Sequence, residues 1–360
     1  MSTSEHYVCN LDTLDWQVAQ VFEANFRWEY ADGRDKLLNL YRKGKRQQWD
    51  SDLRIDWSQD IDPENPAGLP DEIIAIYGSP IWQRLDAKAR AQLRHHLQSW
   101  QLSQFLHGEQ GALVCTAKIV QQVPSLDAKF YAATQVMDEA RHVEAFSRLL
   151  HDKYELVYPI NPHLKSLIED TLRDSRWDMT YLGMQVLIEG VALAAFGLIR
   201  DYARNPLAKS VTAYVMQDES RHVAFGRLAL RDYYPQLTDK ERDEREEFVV
   251  EGCYLLRDRF LGEEVWECLG LPAAECREWV DHSEVMRVYR TSLFTRIVPT
   301  IRDIGLWGPR IRKAYADMGI LGFAEADVEG MGVKDEEIAL GLESRLGDIQ
   351  RTAEQATASG

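Results

Sequence analysis

The chain has 360 residues, 45% of them hydrophobic, and a formal net charge of −16 at pH 7. That length allows one or two domains with a large core, and an acidic balance without any long Lys/Arg run argues against nucleic acid as a partner. Cys9, Cys115, Cys253, Cys268 and Cys276 are odd in number and widely spaced, with no Cys-x-x-Cys and no disulfide framework, so a reducing cytosol is expected.

Along the chain, strand signals are scarce and apolar residues recur at three- and four-residue spacing, which predicts an all-α fold. The opening residues, MSTSEHYVCNLDTLDW, are polar and acidic, unlike a secretory leader. Residues 11–48 read as one or two helices, followed by a connection containing Trp and Pro over 49–70. Long helices are expected at about 81–121, 125–153, 177–203 and 206–234. Pro124-Ser125 opens the second and Asn205-Pro206 the fourth. Further helices are expected over 238–261 and 281–317, and the small polar end, TAEQATASG, reads as a flexible tail. No run approaches 18 uninterrupted apolar residues, so no membrane span is expected. The chain then divides into an N-terminal helical extension (1–80), a four-helix bundle (81–235), C-terminal helices packed on it (236–350) and the tail (351–360).

A duplicated motif lies within the bundle. Glu109, then Asp138-Glu139-Ala140-Arg141-His142, is answered 80 residues later by Glu189, then Asp218-Glu219-Ser220-Arg221-His222. In both halves the lone Glu precedes the Glu-x-x-His pair by 30 residues. Glu and His at i and i+3 share a helical face, so both can bind one metal ion. A bundle that offers a lone Glu from two helices and Glu-x-x-His from the other two makes a two-metal carboxylate site suited to Fe or Mn. Asp138 and Asp218 turn about 100° from their Glu neighbours, so their expected role is to accept a hydrogen bond from a ligand imidazole. Arg141 and Arg221, three residues on, are placed to pair with those Asp residues.

The bland reading of such charges is a solvated helix face, but two matched copies make that untenable. Apolar flanks point the same way: Val136, Met137 and Val143 in one copy, Val215, Met216 and Val223 in the other. Glu189 also precedes the almost uncharged GVALAAFGLI, where a lone carboxylate would be costly. Gly108, Gly111 and Ala112 surround Glu109, and Gly190, Ala192, Ala194 and Ala195 follow Glu189. They imply either close helix packing or a cavity for substrate or O2. Phe105, Leu113, Phe146, Leu193, Phe196 and Phe225 are the candidate apolar wall. The cluster Arg42, Lys43, Lys45 and Arg46 reads as a solvated helix end, with the docking of an acidic ferredoxin as its functional alternative.

The paired motifs resemble the ferritin-like superfamily of carboxylate-bridged di-iron proteins. That group includes bacterial monooxygenases, acyl-carrier-protein desaturases, arylamine N-oxygenases and ribonucleotide reductase small subunits. The likeness covers mainly residues 100–235, with a weaker one in YRKGKRQQWDSDLRIDW. It implies a ferritin-like four-helix bundle in which Glu109, Glu139, His142, Glu189, Glu219 and His222 hold two Fe, or Mn and Fe. It also implies an oxygenase that uses O2 to hydroxylate, N-oxygenate or desaturate an organic substrate, a ferredoxin or reductase as electron donor, and a homodimer. Arylamine N-oxygenases add a seventh, His ligand, for which His282 is the possible donor. The chain departs from individual branches. Phe146 stands where ribonucleotide reductase small subunits carry a radical Tyr, and Glu109 where they often carry Asp. Leu193 and Ala192 stand where monooxygenases and desaturases carry Thr. An iron-oxidising, iron-handling ferritin-like protein and a radical-generating subunit are the alternative readings.

Overall fold

Four long helices, three of them opened by a capping side chain, build the centre of the molecule. The computed structural model describes residues 6–9, 16–27 and 35–358, with side chains of the last helix described to residue 344. The Glu109 helix (Ala87–Gln122) is capped by Asp86, whose side chain accepts from the Ala89 N–H at 2.8 Å. The Glu139 helix (Leu126–Arg148) is capped by Ser125, and the Glu219 helix (Pro206–Tyr233) by Asn205 with Pro206 at its first position. The Glu189 helix (Trp177–Tyr202) contains a π-helical stretch, Leu182–Ile188, that ends directly at Glu189. Such stretches concentrate at functional sites.

Short turns force antiparallel pairing of the Glu109 helix with the Glu139 helix, and of the Glu189 helix with the Glu219 helix. Glu109 lies thirteen residues before Gln122, and Glu139 thirteen after Leu126. Glu189 lies thirteen before Tyr202, and Glu219 thirteen after Pro206. All four therefore stand about 20 Å from their turns, at one level. The all-α reading holds: among the described residues the only strand-like feature is a bridge between Tyr7 and Val157.

The N-terminal expectation needs correction. A helix forms at Asp35–Arg46, but residues 16–27 are not helical. Instead the Asn25 N–H donates to the Gln121 carbonyl (2.8 Å) and its side-chain amide to that of Gln122 (2.6 Å). Those carbonyls end the Glu109 helix and have no partner within it. Residues 11–15 and 28–34 of the expected helices lie outside the described residues.

A helix not expected from the sequence, Pro162–Arg173, packs on the Glu109 helix. The Lys118 ammonium seals its end, donating to the carbonyls of Leu172 (2.8 Å) and Asp174 (2.6 Å). The stretch expected to be helical over 281–317 holds three helices, Glu284–Ser292, Ile297–Asp303 and Pro309–Asp317, and another, Ala273–His282, runs into its start. Extended backbone at Ser283 and a left-handed Gly305 break it. The last helix, Val328–Ala358, continues past residue 351, where the sequence reads as a tail.

Close approaches fasten these later helices to the bundle. A Cβ on Gly190 would sit 2.9 Å from Ile297 Cγ1, and one on Gly111 2.7 Å from Ile168 Cδ1. Both glycines therefore serve helix packing rather than a cavity. Asp178 at the start of the Glu189 helix forms a buried pair with Arg245 at 2.9 and 3.2 Å. The Glu189 helix is long and apolar enough to cross a membrane, yet 78% of its most apolar stretch is buried inside the molecule.

Candidate metal centre

The six predicted residues meet at the middle of the bundle, all buried. Glu109, Glu139, His142 and Glu219 bring four ligand atoms within 4.8 Å of one another, and Glu139, Glu189 and His222 form a second such group. His142 Nδ1 lies 3.2 Å from Glu109, 3.4 Å from Glu139 and 3.0 Å from Glu219. His222 Nδ1 lies 3.1 Å from Glu139 and 3.4 Å from Glu219. Glu139 and Glu219 thus each face both imidazoles, while Glu109 and Glu189 stand on opposite flanks.

Behind the rings, the halves cross over. His142 Nε2 meets Asp218 at 3.1 Å and His222 Nε2 meets Asp138 at 3.2 Å, so each Asp serves the imidazole of the other motif. Arg141 donates to its own Asp138 (2.5 Å) and across to Asp218 (2.9 Å). Arg221 donates to Asp218 and approaches Asp138 at 3.7 Å. Burial opposes the charge on Asp218, but the guanidinium of Arg221, the imidazole of His142 and Arg141 hold its carboxyl well below the usual range. Burial opposes charge on both imidazoles, but Asp218 and Glu109 beside His142, and Glu219 and Glu139 beside His222, push both rings well above their ordinary range.

That arrangement is a test for a cation. A cation between each Nδ1 and the carboxylate oxygens 3.0–3.4 Å away would take the place of the ring's second proton and have both as ligands. Both oxygens of Glu219, Oε2 of Glu139, Oε2 of Glu189 and Nδ1 of His222 are buried without a hydrogen-bond partner. Burial first, and the neighbouring Glu219 carboxylate second, push the Glu109 and Glu189 carboxyls well above their ordinary range. With a metal bound and all six carboxyls ionised, the two guanidiniums leave four negative charges, which two divalent ions neutralise. The residues present fit a dinuclear metal.

Sequence reasoning missed several residues around this centre. Gln135, fully buried one turn before Glu139, donates from Nε2 to Glu139 Oε1 and Glu189 Oε1, both at 2.9 Å. From the segment after the first helix, Trp49 Nε1 donates to Asp218 (2.8 Å) and Gln48 to Asp138 (2.7 Å). Arg141 returns a bond to Gln48 (2.8 Å), and Arg221 bonds Gln47 (2.9 Å). The Gln-Gln-Trp run sits in a connection with no helical period to single it out; Gln135, at i−4 from Glu139, was readable from its face.

Some expectations do not reach the site. His282 is exposed on a distant helix end, its ring bonded to the Glu278 carbonyl. Met137 is 63% exposed, so its flank does not shield the first motif, whereas Met216 beside the second is buried. Of the six wall candidates, Phe105, Phe146 and Phe196 pack on one another as a buried cluster, with centroids 4.5–5.9 Å apart. Phe225 packs with Tyr131 and Tyr181, and Leu113 is half-buried. Leu193 alone of the six lines the cavity of about 670 Å³ between the bundle and the C-terminal helices. In the basic cluster, Lys43 is bonded to Glu336, while Arg42, Lys45 and Arg46 are exposed. All five cysteines are free thiols.

The family model described as P-aminobenzoate N-oxygenase AurF matches residues 31–305. No curated protein sequence matches the chain. Among solved structures, a Synechococcus protein with aldehyde deformylating oxidase activity aligns over 61% of this chain and 99% of its own, at 20% identity and a TM-score of 0.41. An R2-like ligand-binding oxidase with a reconstituted Mn/Fe cofactor aligns over 78% of this chain and 95% of its own, at 16% identity and a TM-score of 0.45.

Proposed function

The chain belongs to the P-aminobenzoate N-oxygenase AurF family, and from that premise we propose that it inserts an oxygen atom into an N–H bond of an organic amine. It is an O2-dependent di-iron oxidoreductase with an all-α, ferritin-like bundle. The observation that carries the reading is a family match that spans a buried set of four Glu and two His whose ligand atoms converge. In balance, the amine, O2, two electrons and two protons give the hydroxylamine and water.

Glu109, Glu139, His142, Glu189, Glu219 and His222 are the proposed metal ligands. Bound there, an iron pair, or manganese with iron, supplies the redox chemistry that activates O2. The protein's own residues do the rest. Asp138 and Asp218, bonded to Arg141 and Arg221, fix both imidazoles with Nδ1 inward. Gln135 steadies Glu139 and Glu189.

Residues 81–235 are proposed as the catalytic bundle and residues 236–350 as one wall of the substrate cavity. A separate ferredoxin or reductase is proposed to deliver the electrons, and the chain to work as a homodimer in the cytoplasm, where free thiols persist. The radical-generating alternative finds no hydroxyl at Phe146. The iron-handling alternative has no use for a large apolar cavity.

The test is to supply reductant and ¹⁸O2 with a panel of aryl and alkyl amines and analyse products by mass. Label in an N–O bond is the expected result. Label only in C–O bonds, or ferric ion accumulating without any dependence on amine, would overturn it.

A further inference from the structure

We propose that the solvent face of the first helix, Asp35–Arg46, docks an acidic protein that carries one electron at a time, with Arg42, Lys45 and Arg46 as the charged contacts. This rests on the oxygenase reading above and names a surface and a partner for it.

The helix reads DKLLNLYRKGKR, five cationic residues against one Asp in a chain of formal net charge −16. Cations in a last helical turn suit the helix dipole, but Arg42 lies before that turn. Lys43 is already paired, its ammonium bonding Glu336 at 2.5 Å. Arg42, Lys45 and Arg46 are exposed, and among the described residues none of the three pairs with a carboxylate. Arg42 gives one bond, from Nη1 to Asn39 Oδ1 at 3.1 Å, and the Lys45 ammonium stands 4.3 Å from the centre of the Tyr41 ring. Lys45 and Arg46 follow Arg42 at i+3 and i+4, the spacing at which like charges on a helix repel. Cations kept together without an anion of their own match an acidic partner.

Apolar ground lies beside them. Tyr41 packs against Phe130 of the Glu139 helix, with centroids 5.6 Å apart, and Phe130 is 39% exposed. Aromatic side chains bordered by charge are the anatomy of a protein–protein contact.

A bonded route leads inward from the same place. Arg42, Lys43, Arg46 and Gln47 line one surface depression. Gln47 Oε1 accepts from Arg221 Nη1 at 2.9 Å, Arg221 donates from Nη2 to Asp218, and Asp218 meets His142 Nε2 at 3.1 Å. Three hydrogen bonds thus join the depression to an imidazole of the metal centre. Each turnover takes two electrons, and two reduced [2Fe–2S] proteins give one each and leave oxidised.

The experiment measures binding of an acidic plant-type [2Fe–2S] ferredoxin to the full chain, metal-free and iron-loaded, and the rate at which reduced ferredoxin reduces the iron-loaded chain. Affinity and rate are both expected to fall about tenfold or more as ionic strength rises from about 0.01 to about 1 M. Charge reversal, Arg42→Glu with Arg46→Glu, should lower both by a similar factor at low salt and flatten the salt dependence. Iron content, and reduction by methyl viologen, a small cation that a basic patch does not attract, should not fall. Ferredoxin binding to the parent that ignores salt, or a reversal that leaves that binding unchanged, would overturn the inference. So would a reversal that changes self-association, which assigns the patch to a second copy, or a DNA oligonucleotide that displaces the ferredoxin. A chain that holds two irons, accepts electrons from methyl viologen and does not bind ferredoxin refutes this proposal alone. A chain that binds ferredoxin through Arg42 and Arg46 but takes up no iron supports the docking surface and refutes the oxygenase reading instead.

Discussion

At Asp218 four donors converge: the imidazole of His142 (3.1 Å), the indole of Trp49 (2.8 Å), and the guanidiniums of Arg141 (2.9 Å) and Arg221. That much positive charge keeps a fully buried carboxyl ionised and so fixes the proton on His142 Nε2. Asp218→Asn removes the charge and is expected to weaken metal binding about 10–100-fold, the usual cost of losing the partner behind a ligand imidazole. Titration against a competing chelator measures it, and parent-like affinity would refute the assigned role. Gln135→Leu leaves Glu139 Oε1 and Glu189 Oε1 without their shared donor. It should lower affinity for one of the two metals more than the other, visible as a split in the same titration. The residues of the motif were legible because the 30-residue and 80-residue spacings repeat. The crossing of each Asp to the other half's His was not, because the period of one helix carries no information about which face meets which neighbour.

The two hairpins owe their common level to equal arms, with Glu109, Glu139, Glu189 and Glu219 each thirteen residues from a turn. Caps and prolines announced both turns, and so the four long helices were readable. The Pro162–Arg173 helix carries the same Asn-Pro opening at Asn161-Pro162, but at twelve residues it is too short for its period to stand out from its surroundings. The segment 16–27 misled because its apolar spacing is helical while its backbone partners lie on the Glu109 helix. A tighter contact decides the C-terminal helices. Gly190 sits against Ile297, where a Cβ would come within 2.9 Å of Cγ1. Gly190→Val should therefore destabilise the fold by roughly 1–3 kcal/mol or more through overpacking, read as a fall in the denaturant midpoint. An unchanged midpoint would mean that the Ile297 helix is free to move.

Across the whole molecule, the buried carboxyls and imidazoles that converge at the centre make the metal part of the fold's stability as well as of its chemistry. Ligands that bind only the folded state stabilise it by about 2.7 kcal/mol at a hundredfold excess over Kd. The iron-loaded protein should accordingly melt several degrees above the metal-free protein, and coincident transitions would contradict a site buried in the native state. Apolar spacing foretold a helical chain, but not the cavity, since its walls come from helices as far apart in sequence as those of Trp100 and Tyr289. The most direct test of the central claim is metal content per chain after anaerobic reconstitution, for the parent protein and for Glu139→Ala and Glu219→Ala. The account predicts two irons in the parent and a clear loss in each variant, because both carboxylates face both imidazoles. Fewer than one iron in the parent, or undiminished iron in the variants, would contradict it.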